Sequence, residues 1–381
     1  MSKRKRIALL GSTGSIGTST LRVVQHLSEH FEIAALAAKS NIDLLYTQAL
    51  EFHPKLIAVF DKDRALDLQK RLPHISVVGG MEGLKAAASF EGADFTMLAM
   101  TGSAGLLPAV AAIEARKQIG LANKEVLVCG GEWISGLAKR NGIELIPVDS
   151  EHCALHQCLQ GQEKSAVRRL ILTASGGALR DKTAQELKKV TVQEALAHPN
   201  WHMGAKVTID CTTLMNKGLE MIEARFLFDI EPERIEAVIH PQSRIHSCVE
   251  FIDGSILAQI ADPDMVLPIQ YALTYPERKQ GMLKPYDFLK NGTLTFYPPD
   301  NQRFPCLQLA LDALKAGKSY PCFLNAANEV LVEKFVQGKI PWTAIGEKLD
   351  KLISSHLPEN MLSLEAILAV DASARQLAAA S

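Results

Sequence analysis

The chain has 381 residues and a mass of 41.6 kDa, more than a single hydrophobic core usually serves, so two or three domains are expected. With 47% hydrophobic and 22% charged residues, 25 Gly and 17 Pro, its make-up is globular, which excludes a collagen-like, coiled-coil or largely disordered chain. A formal net charge of -1 and 6% aromatic residues argue against a nucleic-acid partner, which would call for a basic excess and stacking platforms.

The opening Met1-Ser-Lys-Arg-Lys-Arg6 is basic, but the apolar run behind it, Ile7 to Leu10, stops at Gly11 and is too short for the apolar core of a secretory signal. No run reaches the ~18 apolar residues of a membrane helix. The 7 cysteines are scattered and form no C-x-x-C pair, as expected of reduced thiols rather than a disulfide framework or a structural zinc site. A cytoplasmic protein without a membrane partner is expected.

From Ile7 to about Pro147, short apolar runs alternate with segments of helical spacing. Ile7–Leu10, Ile33–Leu36, Leu56–Phe60, Phe95–Met100, Ile119–Ala122 and Leu145–Val148 read as buried strands, which predicts a parallel sheet with helices on both faces. The first strand ends in Gly11-Ser-Thr-Gly14-Ser-Ile-Gly17 and runs into a helix. Glycines there allow a tight turn and a close approach of backbone N–H groups to phosphate, and the helix N-terminus favours negative charge. This is a variant of the dinucleotide fingerprint, so residues 1–148 are expected to form a Rossmann-like nucleotide-binding domain. The second strand ends in Ala38-Lys39-Ser40-Asn41 with no acidic residue for a ribose 2′-hydroxyl. Lys39 with Ser40 and Asn41 suits a 2′-phosphate, hence NADPH, against the plainer reading of a solvated loop lysine.

Pro147-Val-Asp149-Ser150-Glu151 closes the last of these strands, and in extended geometry Asp149 and Glu151 share a face. Two readings stay open: an oxygen-rich site for Mg²⁺ or Mn²⁺, or a helix N-cap. His152 and His156 stand one helical turn apart, but no third zinc ligand is indicated, so they read as structural. A second α/β region is expected over 149–275, with strands at Arg169–Thr173, Ala237–Ile239, Ser247–Phe251 and Ile256–Ile260 and an Asp253-Gly254 hairpin between the last two. Within it, Thr212, Thr213 and Asn216 bunch donors at a helix start and Lys217 adds charge, a phosphate cradle. Glu220 lies on their face as a third carboxylate, and Ser175-Gly176-Gly177 follows a strand as a further donor turn. His198-Pro-Asn-Trp201-His-Met203-Gly204 reads either as a lid or, on residues alone, better as a surface loop. The Pro- and Gly-rich stretch 276–305 reads as a connector, and 306–381 as a C-terminal helical bundle.

Taken together, these segments resemble the 1-deoxy-D-xylulose 5-phosphate reductoisomerase family over nearly the whole chain. The resemblance rests on Gly11–Gly17, Leu121-Ala-Asn-Lys-Glu125, Pro147–His152, Ser175–Gly177, His198–Trp201, Met215–Glu220, His240-Pro-Gln-Ser-Arg-Ile-His246 and Asn325-Ala-Ala-Asn-Glu329, in the family's order. It implies an NADPH- and metal-dependent isomerisation and reduction of a sugar phosphate, in a homodimer of the non-mevalonate isoprenoid route. Asp149, Glu151 and Glu220 would bind Mg²⁺ or Mn²⁺, with Co²⁺ as a further option. Ser175, His198, Asn216 and Lys217 would hold the substrate phosphate, while Ser150 and Trp201 would touch the substrate. Lys124 would sit between substrate and cofactor, and His246 would be the active-site histidine. Thr13, Gly14, Ser15 and Ile16 would bind the NADPH pyrophosphate, with Ala38, Lys39, Ser40 and Asn41 at the 2′-phosphate. Asn123, Lys124, Glu125, Met203 and Gly204 complete the cofactor set, and residues 178–206 would form a flap.

The chain departs from the family pattern in three places. Cys211 stands where a serine usually touches the phosphate, and Thr212 is the neighbour that would compensate. His202 and Ala205 replace a serine and a basic residue of the flap, and Ala178-Leu179 replaces Pro-Phe. The competing readings are a metal-independent NADP-dependent dehydrogenase of the semialdehyde or homoserine type, and a non-enzymatic NADPH sensor. The first leaves the three acids unexplained, and the second predicts no turnover with any sugar phosphate.

Overall fold

A computed structural model describes residues 4–201 and 203–381, so Met1-Ser2-Lys3 and His202 lie outside the described residues. The chain divides into two compact units. One comprises Met1–Val126, Ile134–Cys153 and Met265–Lys284, the other Leu127–Trp133, Ala154–Asp264 and Pro285–Ser381.

The first unit alternates strand and helix: β1 (Lys5–Leu10), α1 (Ser15–His26), β2 (Phe31–Ala38), α2 (Ile42–Phe52), β3 (Leu56–Val59), α3 (Lys62–Arg71), β4 (Ser76–Gly79), α4 (Gly80–Ala88), β5 (Phe95–Leu98), α5 (Leu106–Glu114), β6 (Gln118–Leu121), α6 (Glu125–Asn141) and β7 (Leu145–Pro147). All seven strands pair in parallel in the order β4-β3-β2-β1-β5-β6-β7. The unbroken apolar runs explain this: Ile7–Leu10 and Ala35–Ala38 are buried throughout, as strands covered on both faces must be. The order reverses between β1 and β5, and a crevice at such a switch point, outside the carboxyl ends of the strands, is where ligands bind in open α/β sheets. The strand β4 was not expected. Ser76-Val-Val-Gly is short, lies at the sheet edge and is only partly buried, so it lacks the continuous apolar run that marked the others.

The second unit carries α7 (Ser150–Leu159) from its fifth residue, then β8 (Val167–Ala174), α8 (Ala184–Leu187), α9 (Val192–Leu196), α10 (Ala205–Thr213), α11 (Met215–Phe228), β9 (Ile235–Ile239), β10 (Ile245–Phe251) and β11 (Ile256–Ile260). The sheet runs β11-β10-β8-β9, with β8 and β9 parallel and β10 antiparallel to both its neighbours. Asp253-Gly254 makes the expected hairpin: Gly254 takes φ +86°, and the Asp253 carboxylate accepts the Ser255 N–H at 2.9 Å.

Three boundaries differ from expectation. Helix α12 (Val266–Thr274), assigned with 149–275, belongs to the first unit. Its apolar face of Val266, Ile269 and Leu273 is fully covered there, and Lys5 Nζ donates to the Leu273 carbonyl at 2.9 Å. Each such side chain contributes about 1.5–3 kcal/mol on burial, which outweighs chain order. The stretch expected as one connector is divided at Lys284 and Pro285 between the units. The C-terminal helices α13 (Cys306–Ala316), α14 (Tyr320–Val336), α15 (Thr343–Ser354) and α16 (Leu364–Ala380) form the expected helical region, but it is one compact unit with the second sheet and not a domain of its own. Trp342 Nε1 donates to Thr212 Oγ1 at 2.9 Å and Asn328 Nδ2 to Asp210 Oδ1 at 2.8 Å, tying these helices to α10. None of the 7 cysteines forms a disulfide. Among the described residues no helix is long and apolar enough to cross a membrane.

Candidate active site

In the first unit the glycine turn has the form its spacing implies. Gly11 takes φ +86°, and a Cβ there would lie 2.3 Å from the Ala99 carbonyl oxygen. A Cβ on Gly17 would lie 2.2 Å from the Gly11 oxygen, so only glycine lets α1 start this close to β1. Gly14 is the exposed N-cap of α1, with no side-chain cap and no acidic residue in the first turn. Thr13, Ser15 and Ile16 flank it at the end of β1, where an anion meets backbone N–H groups and a favourable dipole. Lys39, Ser40 and Asn41 are exposed just beyond β2, while Ala38 is buried as its last residue. The Asn41 Oδ1 accepts the Leu44 N–H at 3.2 Å and caps α2.

At the end of β7 the helix-cap reading is realised. Asp149 precedes α7, and its Oδ1 accepts the Glu151 N–H at 3.3 Å, so it caps the helix. The strand alternation used to pair the acids is corrected here: Glu151 lies in the first turn of α7, directly after the Asp149 cap, and not in a strand. Lys124 Nζ lies 2.7 Å from Asp149 Oδ2, and His152 Nδ1 3.2 Å from Oδ1. Burial acts to raise the Asp149 pKa, but the Lys124 and His152 charges and hydrogen bonds prevail and hold it well below the usual carboxylate range. Ser150 donates its hydroxyl to Glu151. Asn123, expected at the cofactor, is fully buried: Nδ2 donates to the Met100 and Gly102 carbonyls at 2.8 and 3.0 Å, and Oδ1 accepts the Val126 N–H at 3.1 Å. Its side chain braces the turn after β5, so only its backbone is left to meet a cofactor. Glu125 is buried in the first turn of α6.

The second unit gathers the residues expected at a phosphate. His198 Nδ1 accepts the Asn200 and Trp201 N–H groups at 3.1 and 3.0 Å, which puts the ring proton on Nε2, 2.9 Å from Ser175 Oγ. Burial lowers the His198 pKa to about 4, so the ring is neutral near pH 7. Ser175 Oγ thus accepts from His198 and, at 3.1 Å, from the Gly177 N–H, leaving its own hydrogen to donate outward. Gly176 and Gly177 take φ +84° and +70°, and a Cβ on Gly177 would lie 2.5 Å from the Cys211 carbonyl oxygen. The turn is therefore packed against the backbone of the very residue where the family serine is replaced. Helices α10 and α11 meet at Leu214, held at φ +61°, and past this corner Asn216 Nδ2 and Lys217 Nζ each donate to a different oxygen of Glu220, which is 1% exposed.

Two expectations fail at this corner. Thr212 donates to the Ile209 carbonyl at 2.6 Å and accepts from Trp342, and Thr213 donates to the Asp210 carbonyl at 3.2 Å. Both hydroxyls are buried at the end of α10, engaged within the fold, so they add nothing to a cradle and Thr212 does not compensate for Cys211. His246, on β10, is 6% exposed and lies edge-on to Trp201 with ring centroids 6.0 Å apart. Met203 is half-buried and Gly204 is the exposed N-cap of α10. Ala205 opens that helix, and the next residue, Lys206, pairs with Asp210 at 2.8 Å. Sequence reasoning missed Asn200, whose Nδ2 donates to the Pro241 carbonyl at 2.7 Å and to Ser243 Oγ at 3.0 Å, anchoring the 198–204 stretch to the turn before β10. An amide in a short Pro-bracketed turn is a signal for such an anchor.

Known proteins similar to this chain point to one family. Family models described as 1-deoxy-D-xylulose 5-phosphate reductoisomerase match residues 7–131, and models of its C-terminal domains match 145–228 and 260–377. Reductoisomerases of that name from Protochlamydia amoebophila (strain UWE25) and Geobacter metallireducens are 56% and 50% identical, covering 99% and 98% of this chain and 98% and 97% of theirs. The solved Zymomonas mobilis enzyme in complex with NADPH superposes with a TM-score of 0.93 at 40% identity, covering 100% of this chain and 99% of its own. A reductoisomerase in complex with NADPH, fosmidomycin and magnesium gives 0.92 at 40% identity, covering 99% and 98%. With a glycine turn at the sheet's switch point, two acids after β7 and a braced Ser-Gly-Gly turn after β8, this full-length likeness places the chain in the 1-deoxy-D-xylulose 5-phosphate reductoisomerase family.

Proposed function

We propose that the chain converts 1-deoxy-D-xylulose 5-phosphate to 2-C-methyl-D-erythritol 4-phosphate, using NADPH and a divalent metal ion. The observation that carries this is identity of 56% over 99% of the chain with a reductoisomerase. The residues fit both groups. The backbone at Gly14 is exposed at a helix start with no side-chain cap, as a pyrophosphate needs. Asp149, Glu151 and Glu220 offer hard oxygen donors suited to Mg²⁺ or Mn²⁺, and the charge of Lys124 keeps Asp149 ionised. When bound, the ion supplies positive charge for a developing oxyanion and NADPH supplies hydride.

The protein's own part is to bind, orient and exclude water. Ser175, with its hydrogen turned outward by His198 and Gly177, donates to the substrate phosphate together with Asn216 and Lys217. That phosphate is remote from the reacting carbons, so its binding energy draws residues 178–206 over the site. Trp201, anchored through His198 and Asn200, would then cover the sugar with Met203 toward the cofactor, and the exclusion of water strengthens every charge interaction inside. Ser150 positions the sugar hydroxyls. His246 works as a neutral imidazole beside Trp201. Lys124 orients Asp149 and stands ready to donate to a substrate oxygen. The same reading takes the protein as cytoplasmic and homodimeric, which sedimentation equilibrium checks for the second point.

The test is NADPH oxidation by the purified chain with 1-deoxy-D-xylulose 5-phosphate, before and after exhaustive EDTA treatment and on re-addition of Mg²⁺. Turnover that disappears with EDTA and returns with Mg²⁺ is expected. Turnover that survives EDTA, or no turnover at all, overturns the proposal.

A further inference from the structure

The anion turn is gripped from behind by two arginines that no part of the proposed reaction uses. Arg180 Nη1 donates to the Ser175 carbonyl at 2.8 Å, and its Nε and Nη2 chelate Asp181 at 3.2 and 3.0 Å. Its stem lies on Gly176, where a Cβ would come within 2.7 Å of Arg180 Cδ. Arg303 continues the brace one layer further out. Its Nη1 donates to the carbonyls of Arg180 and Lys182 at 3.2 and 2.6 Å, and its Nε to Asp300 Oδ2 at 2.8 Å. Every one of these bonds ends on a backbone carbonyl or carboxylate of the chain itself.

We propose that Arg180 and Arg303 are positioning residues that act in series, holding the Ser175-Gly176-Gly177 turn in register to receive the substrate phosphate. The inference rests on the function proposed above and deepens it. A planar guanidinium is needed because each residue must serve carbonyl and carboxylate acceptors in different directions at once. The Ser175 carbonyl and hydroxyl belong to one residue, so a turn that loses its carbonyl partner loses the aim of the hydroxyl. Arg303 also holds both ends of the Arg180–Lys182 stretch that follows the turn. The two side chains line a cavity of about 480 Å³ with Gly176 and Leu214, so a substitution there admits water rather than opening a sealed void.

Arg303→Met and Arg180→Met test this in two ways. In steady-state assays the variants should lose on the order of 10- to 100-fold in kcat/KM for 1-deoxy-D-xylulose 5-phosphate, the scale of a small misplacement of a binding group. They should leave kcat/KM for unphosphorylated 1-deoxy-D-xylulose within about twofold of the wild type, since that substrate never uses the turn. Equal losses for both substrates, or none for either, overturn the inference. In hydrogen-exchange mass spectrometry without ligand, peptides covering 173–183 should exchange faster in Arg303→Met while those of β10 do not. Unchanged exchange at 173–183 overturns it even if the wild type proves inactive on this substrate, so failure of the functional reading is seen separately, in the wild-type assay.

Discussion

Replacing His246 with Asn tests whether that imidazole is held neutral inside the second unit. His246 is 6% exposed, and burial lowers its pKa to about 4 from an ordinary 6.5. Hydrogen bonds to the Ala261 and Asp262 backbone act the other way, while the nearby charges of His240 and Lys217 add to the depression. Below pH 6.5 the unfolded chain takes up a proton that the folded one refuses until about pH 4. Linkage then makes stability fall as pH falls through that window, with the full contribution present above pH 6.5. At about 1.4 kcal/mol per pH unit, His246 should make the wild type lose roughly 1 kcal/mol by pH 5.5 and roughly 2–3 kcal/mol by pH 4.5, relative to pH 7.5. Urea unfolding followed by tryptophan fluorescence, on wild type and His246→Asn at these pH values, reads the difference between the two proteins. Other titrating groups cancel in that difference. A difference that stays constant from pH 7.5 to 4.5 would refute the neutral, buried imidazole and the role given to it beside Trp201.

Asn123→Ala removes a buried amide with three partners and should cost about 2–3 kcal/mol of stability in urea unfolding, since it leaves two carbonyls and one N–H to find water. An effect under ~0.5 kcal/mol would mean the amide does not brace the turn after β5. Lys39→Ala should weaken NADPH binding on the order of 10-fold while leaving NADH binding nearly unchanged, as removal of one charge-assisted phosphate contact predicts. Titration of both nucleotides by fluorescence decides it, and equal losses would undo the 2′-phosphate assignment.

Much of the architecture was legible because it rests on local patterns. Continuous apolar runs marked the parallel strands, Gly11 and Gly17 marked a backbone approach that no Cβ survives, and Asp253-Gly254 marked a hairpin. What stayed hidden depended on neighbours distant in the chain. The hydroxyls of Thr212 and Thr213 looked like anion donors until the helix end showed them turned inward, one of them onto Trp342, 130 residues away. Asn123 was placed at the cofactor because it stands in a family motif, but its amide faces the turn after β5. Helix α12 follows the second sheet in sequence yet completes the core of the first unit, since only packing decides where an apolar helix face is covered. Asp149 illustrates the middle ground: the acid pair was visible, while its helical rather than extended geometry was not.

The account depends most on carboxylates that bind a divalent ion, and Mn²⁺ titration by electron paramagnetic resonance on wild type and Glu151→Gln measures this without requiring turnover. Glu151 is half-buried at a helix start, a place where the amide is tolerated. The wild type should bind one Mn²⁺ per chain, and Glu151→Gln should bind it on the order of 10-fold more weakly or worse. Equal affinity in the two proteins would contradict the account.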